Sequence, residues 1–125
     1  MTIQEKFDLS GHVAIVTGGV GLLGAEFCKT LAEAGAAVAV VDLNASASQA
    51  VADTLTKSGY QAQAFAVDIT KPDAVNGMVE NVLSAFGRID ILVNSAALDP
   101  KFDPDAVKKG ITPGAFEDYP LEQWN

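Results

Sequence analysis

Apolar and polar positions divide the chain into four short apolar runs and three stretches with helical spacing. The apolar runs cover residues 12–17, 37–42, 61–67 and 89–94. Runs of this length that alternate with helices predict a parallel sheet covered by helices. The segments 14–16, 38–41 and 91–93 are almost continuously apolar, which is typical of strands buried on both faces. We therefore predict these three as central strands.

Residues that favour helix starts and stops bound the three helices. The helices are predicted over residues 21–34, about 45–58, and from Lys71-Pro72 to about Phe86-Gly87. Gly35 and Gly59 follow the first two helices as stop residues. Right-handed crossovers then place the strands in the order 3-2-1-4. The predicted fold class is α/β, the first half of a Rossmann-type parallel sheet with helices on both faces.

The last part of the chain, residues 98–125, has a different composition. It contains Pro100, Pro104, Pro113 and Pro120, two glycines and no clear strand. A long connection without secondary structure is typical of a lid or binding loop. We therefore divide the chain into a sheet-and-helix unit, residues 1–97, and a long loop, residues 98–125. The sheet is expected to be truncated, with an open edge at its fourth strand that favours a homo-oligomer, aggregation, or shielding of the edge by residues 98–125.

Charge and cysteine content narrow the choice of partners. The chain has 16 acidic and 8 basic residues, a formal charge of −8, and no stripe of Lys or Arg, so we expect no nucleic-acid partner. Bound phosphates would be met mainly by backbone N–H groups and a helix dipole. No apolar run approaches the roughly 20 residues that cross a bilayer, so we expect no membrane partner. The single Cys28 cannot form an intramolecular disulfide, which favours a cytoplasmic protein.

A glycine-rich segment follows the first predicted strand and opens the first helix. It reads Thr17-Gly18-Gly19-Val20-Gly21-Leu22-Leu23-Gly24. Gly18 permits a tight turn, Gly21 or its neighbour lets the backbone approach a pyrophosphate, and Gly24 allows close helix-to-strand packing. The helix amino terminus would attract the negative charge. All residues from Gly18 to Gly24 are therefore candidate dinucleotide-binding residues; the alternative is a plain strand-to-helix turn.

Asp42 ends the second strand, eighteen positions after Gly24. An acidic residue at this place is expected to accept hydrogen bonds from the hydroxyls of the adenosine ribose and to repel a 2′-phosphate. No Arg or Lys stands in the glycine loop or just after Asp42. The sequence thus favours NAD over NADP, with Asp42 and the adjacent Leu43 at the ribose. The alternative for Asp42 is a solvated turn residue.

Four signatures in order resemble the short-chain dehydrogenase/reductase family. They are Thr17-Gly18 with the glycine loop, Asp42, Val67-Asp68-Ile69-Thr70, and Leu92-Val93-Asn94-Ser95-Ala96-Ala97. The resemblance implies that Asp68 contacts the adenine amino group and that Ile69 packs on the adenine ring. It also implies that the backbone of Asn94, Ser95 and Ala96 lines the adenosine ribose. For Asn94, the family equally suggests a structural tie to the neighbouring strand.

The chain departs from the family pattern in the loop and in the last signature. The common loop has its middle glycine at Leu22, whereas this chain has Gly21, and Ser95 and Ala97 replace an Asn and a Gly. Each departure keeps a small residue near the expected ligand path. The departures leave the subfamily open.

The family's catalytic residues are a Ser, a Tyr-x-x-x-Lys pair and an Asn on the helix after the fourth strand. Tyr60 is followed four positions later by Ala64, and Tyr119 by Gln123. Trp124-Asn125 resembles only the start of the catalytic helix. We therefore expect no catalytic residue in these 125 residues, an inactive chain by itself, and a parent enzyme that acts on a small-molecule hydroxyl or carbonyl substrate.

Two other functions remain open, and two residues have simpler explanations. One alternative is a stand-alone nucleotide-binding or interaction module; another is a methyltransferase, against which the Thr17-Gly18 start and the Asn94 segment argue. Cys28 shares a helix face with Phe27 and Leu31 and is expected in the core rather than as a nucleophile. His12 has no Cys or His partner nearby, so we expect no metal site.

Overall fold

Parallel strands form the sheet of the computed structural model, which describes residues 1–97, 105, 108 and 109. The strands within this part of the chain are β1 (Val13–Thr17), β2 (Ala37–Asp42), β3 (Ala62–Ala66) and β4 (Ile91–Asn94). Their order is β3-β2-β1-β4, and every pair is parallel. The predicted order 3-2-1-4 is confirmed, and the predicted strand ends are correct to within two residues.

The helices alternate with the strands as predicted, with one addition at the amino terminus. They are α1 (Ile3–Lys6), α2 (Leu22–Glu33), α3 (Ala45–Lys57) and α4 (Pro72–Phe86). Helix α1 was not predicted, because it has a single turn and no buried residue. Its signal was a capping box, in which Thr2 accepts from the Glu5 N–H and Glu5 accepts from the Thr2 N–H.

Two hydrophobic cores lie on opposite faces of the sheet. On one face, α2 and α3 pack on the β-strands through Cys28, Ala32, Ala52 and Leu55. On the other face, α4 packs through Met78 and Val82. The α/β class with helices on both faces is confirmed, and Cys28 is a fully buried core residue. No helix among the described residues is long and apolar enough to cross a bilayer.

Strands β1 and β2 are central in the sheet, as predicted, whereas β4 has a neighbouring strand on one side only within the described residues. Strand β1 is buried along its whole length, and so is β2 up to its last residue. In β4, burial alternates, and the Leu92 side chain is 58% exposed. Within the described residues β4 pairs only with β1, so its other edge has no neighbour to cover it. An apolar run in the sequence indicates a strand suited to burial, but it does not indicate which elements lie beside that strand.

The long loop predicted for residues 98–125 lies outside the described residues, apart from positions 105, 108 and 109. The same applies to the start of the next helix at Trp124-Asn125. Whether this segment shields the edge of β4 therefore stays a prediction.

Candidate functional site

The candidate residues gather at the carboxyl edge of the sheet. Thr17 pairs in register with Asn94 of β4 and with Val41 of β2, so β1, β2 and β4 end at nearly the same level. Ligands of open α/β sheets bind outside this edge. The glycine loop leaves β1 here and crosses to the start of α2.

Gly18 is required by two independent features. Its φ of +67° lies in the left-handed region, which strains any residue with a Cβ. A Cβ built on Gly18 would lie 2.7 Å from the Ala96 Cα and 2.9 Å from the Ser95 carbonyl oxygen. The glycine loop and the segment after β4 thus touch backbone to backbone, which confirms the tight turn expected at Gly18.

The Thr17 hydroxyl holds this contact together. It donates to the Val93 carbonyl at 3.4 Å and accepts from the N–H groups of Ser95 at 3.2 Å and Ala96 at 3.4 Å. Thr17 is only 6% exposed, so these bonds are shielded from water. Thr17 thus ties β1 to the segment after β4, while the exposed Asn94 side chain makes no hydrogen bond within the described residues. The sequence signal was a hydroxyl residue at the last position of a buried strand.

Two N–H groups of the glycine loop are already used within the protein. The Gly19 N–H donates to the Val41 carbonyl at 3.1 Å, and the Gly21 N–H donates to the Gly18 carbonyl at 3.1 Å. Gly19 also lies close to strand β2, since a Cβ there would be 2.8 Å from Val40 Cγ1. Neither N–H is left for a ligand, so these two residues shape the loop and other donors must meet a phosphate.

Those other donors lie at the amino terminus of α2. Its N-cap residue Gly21 offers no side-chain acceptor, and its first turn has no acidic residue. No acceptor among the described residues meets the N–H groups of Leu22, Leu23 or Gly24. Unpaired N–H groups and a helix dipole attract negative charge, so this helix start is the candidate phosphate site. The Leu22 side chain, where the common loop has glycine, is 96% exposed and points away from the core.

Gly24 keeps this helix end close to the loop. A Cβ at position 24 would collide with the Gly18 carbonyl oxygen and crowd the Gly19 Cα. The close contact predicted for Gly24 therefore exists, but its nearest neighbours are the loop residues and not the strand.

Asp42 closes the turn that leads into α3. Its Oδ1 accepts from the Asn44 N–H at 3.1 Å, and its carbonyl accepts from the Val67 N–H at 2.9 Å. Asp42 thus holds this turn with one carboxylate oxygen, and its Oδ2 accepts no hydrogen bond within the described residues. Leu43, next to it, is exposed.

Asp68 lies after the end of β3 and is held by Thr70. Its Oδ1 accepts from the Thr70 N–H at 3.0 Å and from the Thr70 hydroxyl at 2.6 Å. The hydroxyl bond, followed by the backbone bond, lowers the pKa of the Asp68 carboxyl below its ordinary value. Ile69 between them is half exposed, as an apolar surface for a ring would be.

A groove of about 500 Å³ lies between α2 and α3, and it is not the candidate site. It shares Val20, Gly21 and Leu22 with the glycine loop, but none of Asp42, Asp68 and Asn94 lines it. The chemistry expected for a dinucleotide lies at the sheet edge.

His12 and the acidic residues form no metal site in the part of the chain that the structure describes. The His12 Nδ1 is buried without a hydrogen-bond partner there. It lies at the opposite end of β1 from the glycine loop, away from the candidate site.

One curated relative is similar to this chain in sequence, and three solved structures are similar to it in fold. The chain is 38% identical over 104 residues to the short chain dehydrogenase/reductase astE of Aspergillus oryzae, covering 82% of this chain and 40% of that protein. A short-chain type dehydrogenase/reductase from Mycobacterium marinum superposes with a TM-score of 0.80 at 35% identity, covering 99% of this chain and 45% of the other. The chain thus spans less than half the length of these relatives.

Two further structures contain a nicotinamide cofactor. A 7α-hydroxysteroid dehydrogenase in complex with NADH and 7-oxo glycochenodeoxycholic acid has a TM-score of 0.75 at 37% identity, covering 85% of this chain and 43% of that chain. A metagenomic short-chain oxidoreductase in complex with NADP has a TM-score of 0.69 at 33% identity, covering 78% and 47%. The short chain dehydrogenase family matches residues 12–125, nearly the whole sequence. The chain belongs to this family.

Proposed function

We propose that this chain is the NAD-binding portion of an oxidoreductase that transfers hydride between NAD(H) and a hydroxyl or carbonyl substrate. The observation that carries the proposal is the open amino terminus of α2 behind Gly18. Three N–H groups there lack an acceptor within the described residues, and the loop brings them to the carboxyl edge of the sheet. Such an end favours an anion, because both the unpaired N–H groups and the helix dipole attract negative charge.

The pyrophosphate would be held by backbone groups and not by cations. Residues 18–24 contain neither Lys nor Arg, and the chain has a formal charge of −8. The N–H groups of Leu22, Leu23 and Gly24 are the donors. The left-handed turn at Gly18 keeps the loop close to the sheet, so that a phosphate can reach these donors. The proposed pyrophosphate site therefore depends on backbone geometry and the helix dipole. It offers no cation for an additional 2′-phosphate, which agrees with a preference for NAD.

Asp42 is the basis of the preference for NAD. Its Oδ2 would accept from a ribose hydroxyl, whereas the 2′-phosphate of NADP would meet a carboxylate with no Lys or Arg close by in the sequence. Related structures contain NADH in one case and NADP in another, so the preference rests on this chain's own residues.

The adenosine part would lie between Asp68 with Ile69 on one side and residues 94–96 on the other. The Asp68 carboxylate is oriented and ionised by its bonds from Thr70, which suits it to accept from an amino group. The backbone of Asn94, Ser95 and Ala96 follows β4 to the same edge, where Thr17 fixes it. The bound nicotinamide supplies the hydride donor or acceptor.

The chemical step needs residues outside this sequence. The family's Tyr-x-x-x-Lys pair does not occur in the 125 residues, so the chain alone is proposed to bind without turnover. The parent enzyme would act on a small alcohol or carbonyl compound, the class to which the 7-oxo steroid of the related complex belongs. A cytoplasmic homo-oligomer remains our expectation for it.

A stand-alone nucleotide-binding module is the alternative, and it would bind NAD equally well. The two proposals differ only in whether further catalytic residues follow on the same polypeptide. Comparison of the intact mass of the natural protein with the 125 residues decides between them.

Isothermal titration calorimetry of the chain with NAD and NADP tests the binding proposal. We expect NAD to bind more tightly than NADP by about tenfold or more, since one charge-assisted hydrogen bond is gained and one repulsion avoided. Equal or tighter binding of NADP would contradict the proposed contact between Asp42 and the ribose. Absence of binding for both would contradict the proposed function. Reduction of NAD by a preparation of the correct mass would contradict the proposal that the chain alone binds without turnover.

A further inference from the structure

Thr70 makes two hydrogen bonds to a single oxygen of Asp68. Its N–H lies 3.0 Å and its hydroxyl 2.6 Å from Asp68 Oδ1. The Asp68 Oδ2 accepts no hydrogen bond within the described residues. One oxygen thus fixes the side chain, and the other has no hydrogen-bond partner among the described residues.

The backbone around Asp68 is fixed independently of this pair. The Val67 N–H donates to the Asp42 carbonyl at 2.9 Å, which extends the ladder between β2 and β3 by one residue. The Lys71 N–H donates to the Asp68 carbonyl at 3.1 Å and closes the turn into α4. With the main chain held on both sides, the Thr70 hydroxyl governs mainly the rotamer of the Asp68 carboxylate and its charge.

Both effects of Thr70 suit the recognition of an amino group. A carboxylate accepts best when it is ionised, and hydrogen bonds donated to it favour the ionised form. The Thr70 bonds lower the pKa of the Asp68 carboxyl, in agreement with this geometry. The backbone N–H would remain after any substitution except proline, so the hydroxyl is the part that can be tested.

We propose that Thr70 is a positioning residue for adenine recognition: its hydroxyl holds Asp68 Oδ1 so that Oδ2 faces the amino group of the adenine ring. The inference rests on the proposed function, in which Asp68 contacts that amino group. It adds that the selectivity for adenine depends on a residue that does not itself touch the dinucleotide.

The test combines two dinucleotides with two variants of the full chain. Nicotinamide hypoxanthine dinucleotide has a carbonyl oxygen in place of the adenine amino group and a hydrogen on N1, and the rest of the molecule is the same as in NAD. Thr70→Val removes the hydroxyl with little change in shape, and Thr70→Ser retains it. Thr70→Ala removes the same hydroxyl with a smaller side chain and replaces the valine variant if that variant fails to fold.

We expect Thr70→Val to weaken NAD binding about fivefold, the value of one lost hydrogen bond, and to change binding of the hypoxanthine analogue by less than about twofold. The preference of the unmodified chain for NAD over the analogue should therefore fall about fivefold, and Thr70→Ser should restore it. A purely structural role in the turn would weaken both dinucleotides equally, because a disturbed turn does not distinguish an amino group from a carbonyl.

Each remaining outcome has a distinct meaning. Thr70→Val with an unchanged preference, or with equal losses for both dinucleotides, overturns the inference and leaves the NAD site intact. If the unmodified chain binds both dinucleotides equally, Asp68 does not contact the adenine amino group, and the inference fails with that contact. A chain that binds neither contradicts the proposed function itself.

Discussion

Helices α2 and α3 begin at the carboxyl ends of adjacent strands on the same face of the sheet, yet their first turns differ. At α3, Asn44 Oδ1 accepts from the Ala47 N–H and from the Ser46 hydroxyl, both at 3.0 Å. At α2, the N-cap is Gly21 and no side chain accepts from the first turn. The start of α3 is capped by a side chain, whereas the start of α2 has no side-chain cap and is the end that we propose binds the cofactor.

Under the proposed function, the difference separates residues that stabilise the fold from residues that bind the cofactor. A side-chain cap is worth about 1 kcal/mol, and α3 has one in Asn44. A side-chain oxygen at position 21 would compete with the pyrophosphate for the N–H groups at the start of α2. The proposed binding therefore requires that residue 21 has no capping side chain. The predictions below follow the comparison from the largest expected effect to the smallest.

Gly24→Ala should abolish NAD binding. Its Cβ collides with the Gly18 carbonyl oxygen, so the loop and the helix end must separate. Gly77→Ala is the matched control, because this helical glycine has open space around a built Cβ. The control should keep NAD affinity and raise stability by about 0.5–1 kcal/mol. Calorimetry and urea unfolding measure both, and wild-type affinity in Gly24→Ala would contradict the role of the loop.

Gly21→Asp should weaken NAD binding by about 20- to 100-fold, because the new carboxylate accepts from the Leu23 or Gly24 N–H and repels the pyrophosphate. The backbone at Gly21 is extended, with a φ of −67°, so the side chain fits without strain. Gly21→Ala is the steric control, since its Cβ would lie 3.5 Å from the Gly18 carbonyl oxygen, an ordinary contact. If both variants lose affinity equally, the effect is one of size and the anion site is wrong.

Asp42→Ala should weaken NAD binding by about tenfold or more and reduce the preference over NADP. Asp53→Ala removes the same charge from the exposed side of α3, where Asp53 accepts from Gln49 Nε2, and should leave both affinities unchanged. Titrations of both dinucleotides with both variants separate a specific contact from a general effect of charge. Equal losses in the two variants would make Asp42 a turn residue only.

Asn44→Ala should destabilise the fold by about 1 kcal/mol, the usual cost of a lost N-cap, and change NAD affinity by less than about twofold. Asp42 keeps its bond from the Asn44 N–H in this variant, because that donor belongs to the backbone. Urea unfolding and calorimetry give the two values. A large loss of affinity with little loss of stability would mean that the two helix ends do not divide the roles as stated.

The sequence alone predicts the sheet order and the helix faces because alternating strands and helices leave few arrangements. It predicts Gly18 well, since a left-handed turn and a close approach both demand glycine. It does not predict the exposure of Leu92 or the role of Thr17, because both depend on which elements become neighbours in space. Gly19 shows the same limit: its need for glycine comes from Val40 beneath it, a contact between residues far apart in the chain.

Amide chemical shifts measured by NMR during titration with NAD test the central claim most directly. The account predicts that the N–H signals of Leu22, Leu23 and Gly24 move most, as their hydrogens acquire phosphate acceptors. The Ala47 N–H, already bonded to Asn44, should stay in place. Shifts confined to the groove between α2 and α3, or an unmoved α2 terminus at saturating NAD, would contradict it.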